Sequence, residues 1–297
     1  MPNTQFTFPA SDGLDIVGYR WDPERTPIGA VALVHGMGEH VLRYEELAQA
    51  LKGKGLVVYG YDHRGHGATA TAERSLGDLG PGGWPALVED IGLFVDKIRA
   101  EHPRLPLLLV AHSMGSFAAQ QFLLDNSDRV DAVALTGTAS LDLLEPALDL
   151  DQELDLAMFN APFAPARTDF DWLSRDEAIV DAYIADPLCG FGIDVASAKA
   201  MFVGARRLAD PAEVSKVRSD LPILVAVGSK DPVNADLALV NVFVERLRAA
   251  GTEDLTFRVY EGARHEVFNE TNRGEVVADL LNWIGRVVTP AAAAAGT

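Results

Sequence analysis

A chain of 297 residues is long enough to bury a large core, and a net charge of −18 sets it against phosphate. Binding to nucleic acid or to an anionic membrane surface is therefore not expected. Its 48% apolar and 23% charged residues are ordinary globular composition, and one cysteine, Cys189, cannot form an internal disulfide. The first residues lack a basic segment followed by an apolar run, so no secretory leader is expected and the cytoplasm is the expected location. No run approaches the ~18–20 apolar residues that a membrane span needs.

Residues 5–21 alternate in polarity around Ser11-Asp12-Gly13, which reads as a hairpin. Apolar runs at 31–34, 56–60, 107–111, 130–136, 221–227 and 255–260 read as strands, with helical patterns such as Tyr44–Lys52 and Trp84–Glu101 between them. This alternation predicts a mostly parallel central sheet with helices on both faces. The pattern breaks after Ala139. Residues 140–210 carry short amphipathic pieces punctuated by Pro146, Pro162, Pro165 and Pro187, and predict a helical cap inserted into the core. The expected division is a core of 1–139 and 211–290, a cap of 140–210 over the strand ends where ligands bind, and a flexible tail of 291–297.

The chemistry sits where strands end. Leu107–Ala111 runs into His112-Ser113-Met114-Gly115 and then a helical pattern, the layout of a nucleophile elbow. The tight turn wants small residues two before and two after the serine; Gly115 is the usual glycine and Ala111 stands where the other is usual. Asp231 follows the 221–227 strand and His265 follows the 255–260 strand, giving the order Ser, Asp, His. A serine needs a base to take its proton, histidine is the base that titrates near neutrality, and a carboxylate fixes its tautomer. Singly, Asp231 reads equally as a helix cap before Pro232, and His265 as a surface histidine. The early strand 31–34 runs into His35-Gly36-Met37-Gly38-Glu39-His40, a turn whose glycines let backbone N–H groups approach a developing oxyanion. In such a site one donor is the residue after the nucleophile, Met114, and the other is placed at Met37.

His35–His40 with Arg43-Tyr44-Glu45-Glu46, Asp62-His63-Arg64-Gly65-His66-Gly67, Ala111–Gly115, Gly228–Asp231 and Tyr260–Glu266 together resemble the α/β-hydrolase group of monoacylglycerol lipases and bacterial lysophospholipases. The likeness runs from about Phe6 to Trp283 and includes the segment Val180–Leu188. It implies the α/β-hydrolase fold, with Ser113 as nucleophile, His265 as base, Asp231 as its orienter, and the N–H groups of Met37 and Met114 as oxyanion donors. It also places Tyr183 near the polar head of a monoacylglycerol, although packing alone would account for a tyrosine there. Glu39, with Arg43 one helical turn on, stands at the site mouth as a substrate contact and ion pair, or as a solvated pair worth little. Two departures are Ala111 for glycine and the loop after Gly67, which lacks the group's usual Ser-Glu-Gly.

The expected activity is that of a serine carboxylic-ester hydrolase working through an acyl-enzyme. Its expected partner is a small-molecule ester with an apolar acyl or alkyl group: a monoacylglycerol, a lysolipid or a similar monoester, met with at most transient membrane contact. A short-chain carboxylesterase, an amidase or peptidase, and a non-catalytic ligand-binding protein remain alternatives, because scaffold and triad do not choose among them. Leu143, Leu144, Leu148, Leu154, Leu156, Met158, Phe159, Phe163, Phe170, Trp172, Phe191, Met201 and Phe202 are candidates to line an acyl tunnel, or simply pack the cap onto the core. No cofactor and no metal are expected: His35, His40, His63, His66 and His112 lack metal spacing and have no cysteine partner by position.

Overall fold

The computed structural model describes residues 1–72 and 74–288. The expected tail, 291–297, lies outside them. Eight strands form one sheet: β1 (Thr4–Pro9), β2 (Asp15–Trp21), β3 (Gly29–Val34), β4 (Leu56–Tyr61), β5 (Leu107–His112), β6 (Ala132–Thr136), β7 (Ile223–Gly228) and β8 (Leu255–Tyr260). Their order is β1-β2-β4-β3-β5-β6-β7-β8. β1 and β2 form the antiparallel hairpin read from Ser11-Asp12-Gly13, whose Gly13 N–H donates to the Ala10 carbonyl at a φ of +82°. β2 pairs antiparallel with β4, and every pairing from β4 through β8 is parallel.

The inner strands are continuous apolar runs because both faces are covered. Every residue of β3, β4, β5, β6 and β7 is buried, whereas the edge strands β1 and β8 are partly exposed and carry polar side chains such as Thr7 and Arg258. Alternate side chains feed two cores. Val31, Leu33, Leu108 and Val110 face α1 (Glu45–Gly53) and α9 (Arg273–Val288). Ala32, Val34, Leu107 and Leu109 face the opposite side, where α2 (Gly83–Glu101), α3 (Met114–Asn126) and α8 (Ala238–Ala249) pack.

Between β6 and β7 the described residues form no strand. They make α4 (Leu141–Leu144), a 3-10 segment Leu156–Phe163, α5 (Glu177–Ala185), α6 (Val195–Ala205) and α7 (Pro211–Val214). Asp176, Asp194 and Asp210 cap α5, α6 and α7 with side-chain oxygens that accept backbone N–H groups. α6 lies against α2 and α3, burying Ala198, Met201, Phe202 and Ala205. Among the described residues no helix is long and apolar enough to cross a membrane.

Register places the site. Val34 pairs with Ala111, His112 with Thr136, and Gly228 with Tyr260, so the parallel strands end at one edge of the sheet. The segments carrying Met37, Ser113, Asp231 and His265 all leave the sheet there, at its carboxyl edge.

Candidate active site

Ser113 stands alone between β5 and α3 with φ 51° and ψ −122°. A left-handed φ at a non-glycine residue costs on the order of 1–3 kcal/mol, so surrounding bonds must hold it. The Ser113 N–H donates to the Thr136 carbonyl at 2.9 Å, and the Ser113 carbonyl accepts from Phe117 N–H at 3.0 Å and Ser116 Oγ at 2.8 Å. Gly115 has a steric reason: a Cβ there would fall 2.4 Å from the His35 carbonyl and 2.7 Å from that of Val34. Ala111 lies in the core strand between Val34 and Leu135, its methyl buried, so the strict glycine requirement is on one side of the serine only.

The structure brings the three residues far apart in sequence into one line. His265 Nε2 lies 2.8 Å from Ser113 Oγ, and His265 Nδ1 lies 3.0 Å from Asp231 Oδ1. With Nδ1 protonated and donating to the carboxylate, Nε2 is free to accept the serine proton. Asp231 Oδ1 also accepts the Val233 N–H at 3.0 Å, so the aspartate caps the short turn at Pro232–Asn234 and faces the imidazole at once. The imidazole is packed against Trp172 and His112, with ring centroids at 4.9 and 4.8 Å. Its loop is fastened to the inserted segment: His265 N–H donates to the Trp172 carbonyl at 3.3 Å and Glu266 N–H to that of Leu173 at 2.8 Å.

Electrostatics single out this histidine. Burial by itself would lower its pKa, but the charge and hydrogen bond of Asp231, helped by Glu266 and Glu39, hold it above the usual value. Burial drives His35 and His66 the other way, down to about 3. Burial, with positive neighbours adding, also takes His63 and His112 well below the ordinary range. Of these four dry neutral imidazoles, His112 lies against the ring that holds a proton more readily, and His35, His63 and His66 pack together behind the glycine turn.

The glycine turn is built around Glu39, which is 2% exposed. Its Oε1 accepts the Gly36 N–H at 2.6 Å and the Tyr44 hydroxyl at 2.8 Å, and its Oε2 accepts Arg43 Nη1 at 2.6 Å. Arg43 reaches on to both oxygens of Glu266, at 2.6 and 2.7 Å. The Glu39–Arg43 pair is therefore buried rather than solvated, and it ties the turn to the residue that follows His265. From behind, His66 Nε2 accepts the Gly38 N–H at 3.3 Å, His35 Nε2 accepts that of His63 at 3.0 Å, and Asp62 accepts those of Val41 and Ala68. From the front, the Gly38 carbonyl accepts the Tyr183 hydroxyl at 2.8 Å and the Gly190 N–H at 2.9 Å. The polar atoms of Glu39 and Tyr183 are thus engaged in holding the turn. The N–H groups of Met37 and Met114 have no acceptor among the described residues, and both residues line the cavity above Ser113.

That cavity is narrow: about 60 Å³ is open to the centres of water-sized molecules, within about 720 Å³ of space between atoms that includes its open mouth. Ser113, His265, Glu39 and Tyr183 stand in its wall, and nine of the thirteen tunnel candidates reach it, Leu148, Leu154, Met158, Trp172 and Phe202 among them. The core adds Phe117, Leu141 and Val233. Four candidates pack elsewhere: Leu143 is 44% exposed, Phe163 lies under the Arg264 guanidinium, Phe170 on Tyr183, and Phe191 on His66.

Sequence reasoning missed two features. Glu266 is the second carboxylate on Arg43, and its only signal was its place directly after His265. Cys189 has no histidine at metal spacing along the chain, yet the fold sets it and Asp186 beside His40.

Comparison with known proteins gives the family. Residues 25–272 match the family Hydrolase_4, described as serine aminopeptidase, S33. The chain is 32% identical to a monoacylglycerol lipase of Mycolicibacterium smegmatis, over 95% of this chain and 96% of that one. It is 30% identical to a monoglyceride lipase of Homo sapiens, over 97% and 91%. Among solved structures, a thermostable carboxyl esterase from Bacillus coagulans in complex with glycerol superposes with a TM-score of 0.86 at 27% identity, covering 97% of this chain and 100% of that one. An eight-stranded, mostly parallel sheet, a family match over most of the chain and relatives of this likeness lead to one conclusion: the chain belongs to the Hydrolase_4 (S33) family of α/β-hydrolases, alongside the monoacylglycerol lipases, and is a lipase- or esterase-type hydrolase.

Proposed function

We propose that the protein is a serine carboxylic-ester hydrolase that works through an acyl-enzyme on monoacylglycerols or similar apolar monoesters. The observation that carries this reading is the Ser113–His265–Asp231 line at the floor of an apolar cavity. Ser113 Oγ attacks the ester carbonyl carbon as its proton passes to His265 Nε2. The carbonyl oxygen becomes an oxyanion held by the Met37 and Met114 N–H groups, whose preorganised dipoles need no reorientation as charge develops. His265 gives the proton to the departing alcohol. Water then attacks the acyl carbon with the same histidine as base, and the carboxylic acid leaves.

Residues 140–210 act as the cap. Their apolar side chains receive the acyl chain, while Glu39, Tyr183 and Glu266 make the polar end of the cavity where the alcohol part sits. The monoacylglycerol lipases among the relatives support that substrate class.

A chain-length series of p-nitrophenyl esters, run beside 1-monoacylglycerols, tests the assignment. Each methylene that finds contacts is expected to raise kcat/KM by about fourfold to tenfold before a cutoff. A profile that falls steadily from acetate upward would remove the acyl tunnel and leave a small-ester hydrolase. No turnover on any ester would remove the ester-hydrolase reading and leave amides, lactones or ligand binding.

A further inference from the structure

Beside the glycine turn, three donor groups converge from two elements that are distant in sequence. His40 ends the glycine turn, Asp186 follows the last residue of α5, and Cys189 lies on the loop beyond it. One ring nitrogen, one carboxylate oxygen and the thiol sulfur all lie within 4.8 Å of one another. His40 Nε2 is 2.9 Å from Asp186 Oδ2, while the other carboxylate oxygen accepts the Leu188 N–H at 2.8 Å and is thereby oriented away. His40 is buried, and Asp186 and Cys189 are half-buried, so the cluster is built but reachable from solvent.

We propose that His40, Asp186 and Cys189 form a three-donor site for a zinc-class divalent cation, which would fasten the loop at 186–191 to the glycine turn that carries Met37. The donor set is the borderline one such ions select: imidazole, carboxylate and thiolate. Bonds of about 2.0–2.3 Å place tetrahedral donors about 3.3–3.6 Å apart. The His40–Asp186 gap must open by a few tenths of an ångström, and the sulfur must close by at most about 1.2 Å, within reach of a side-chain rotation. As the bonds form, the thiol proton leaves to water, the proton that His40 Nε2 shares with Asp186 passes through solvent to Nδ1 of the ring, and no electron changes hands. Solvent supplies the fourth position.

Local charge favours a cation. The charged groups acting on Cys189 are Arg43 and the carboxylates of Glu39, Asp186 and Glu266, three negative against one positive. Arg43 is bound to Glu39 and Glu266, so that trio leaves one net negative charge, and Asp186 adds another. A hydrogen-bonded clamp would be complete with His40 and Asp186 and has no use for a thiol within 4.8 Å of both. A cation takes all three. The loop is already joined to the turn through the Gly38 carbonyl, so the ion would add a second fastening beside an existing one.

The test strips the protein with chelator and titrates wild type, Cys189→Ser and His40→Gln with zinc ion alone, against a chromophoric competitor. Cobalt ion then replaces zinc to look for a thiolate charge-transfer band. Wild type is expected to take up a single zinc ion, and each variant to bind it about tenfold or more weakly. The cobalt band should vanish in Cys189→Ser. Amide hydrogen exchange at 186–191 should slow about tenfold when wild type is loaded. Equal affinity in wild type and Cys189→Ser, a near-isosteric change that keeps the fold, would overturn the site. Uptake that leaves exchange at 186–191 unchanged would overturn the fastening. Neither readout depends on ester turnover, so failure here leaves the hydrolytic reading standing.

Discussion

Ser113→Ala is expected to lower kcat on the preferred ester by roughly six orders of magnitude, because removing the nucleophile of a cooperating triad leaves only binding and oxyanion stabilisation. The fold should survive. The substitution removes one hydroxyl and its 2.8 Å bond to His265 Nε2, worth about 1 kcal/mol, and leaves the strained φ of 51° for alanine to adopt in its place. Thermal unfolding should therefore shift by only about 2–4 °C, and near-ultraviolet circular dichroism should be unchanged. The paired measurement is single-turnover labelling with an active-site phosphonate, complete in wild type and absent in the variant. Retention of more than about a tenth of wild-type turnover would sink the assignment of Ser113. Stoichiometric labelling of a wild-type protein that turns over no ester would instead point to the ligand-binding alternative.

The second large effect is expected at Asp231. Asp231→Asn should lower kcat by about 10⁴-fold, since the amide can present an N–H to the ring and trap the wrong tautomer. The same Oδ1 accepts the Val233 N–H, so an amide that turns its N–H to the ring also gives up that turn contact, a loss of about 1 kcal/mol. The pH profile separates this role from a merely structural one. His265 must be neutral to act as base, and Asp231 holds its pKa above the ordinary 6.5, so the rising limb of wild-type kcat/KM should lie above pH 6.5. Without the carboxylate, burial acts unopposed by its largest counterweight and the limb should move to lower pH. Stability follows the same sign. A histidine pKa raised by folding contributes fully below pH 6.5 and is lost as pH rises through the folded value. The gap in melting temperature between wild type and Asp231→Asn should accordingly be wider at pH 6 than at pH 9. A limb that stays in place would refute the aspartate's part.

The strands and the order of the site residues were legible because they are local signals. Apolar runs need no tertiary information to be seen: Ser113 directly follows the buried β5, and Asp231 and His265 come within a short turn of the buried β7 and the partly exposed edge strand β8. Asp231 shows why two sequence readings need not compete, since one oxygen caps the turn and orients the ring. The helices over 140–210 were legible only as a change of pattern. Which of their side chains face the cavity depends on how short pieces pack, so Phe163, Phe170 and Phe191 looked like Trp172 in sequence and went elsewhere. Long-range polar pairs left no trace at all. Glu266 meets Arg43 only because the glycine turn and the His265 loop leave neighbouring parts of one sheet edge, and spacing along the chain carries no record of that.

The four dry imidazoles around the site have a consequence for the whole molecule in acid. His35, His63, His66 and His112 are neutral when folded but would each accept a proton near pH 6.5 once released by unfolding. Below that pH each draws the equilibrium toward the unfolded chain by about 1.4 kcal/mol per unit, while His265, protonated in both states there, adds no slope of its own. Four net protons approach about 5.5 kcal/mol per pH unit, against a total stability of about 5–15 kcal/mol for a domain. Melting temperature should therefore fall steeply between pH 6.5 and 5, and replacing the buried His66 by glutamine should flatten that fall. The cluster that leaves one histidine free to act as a base also sets an acid limit on the conditions in which the fold persists.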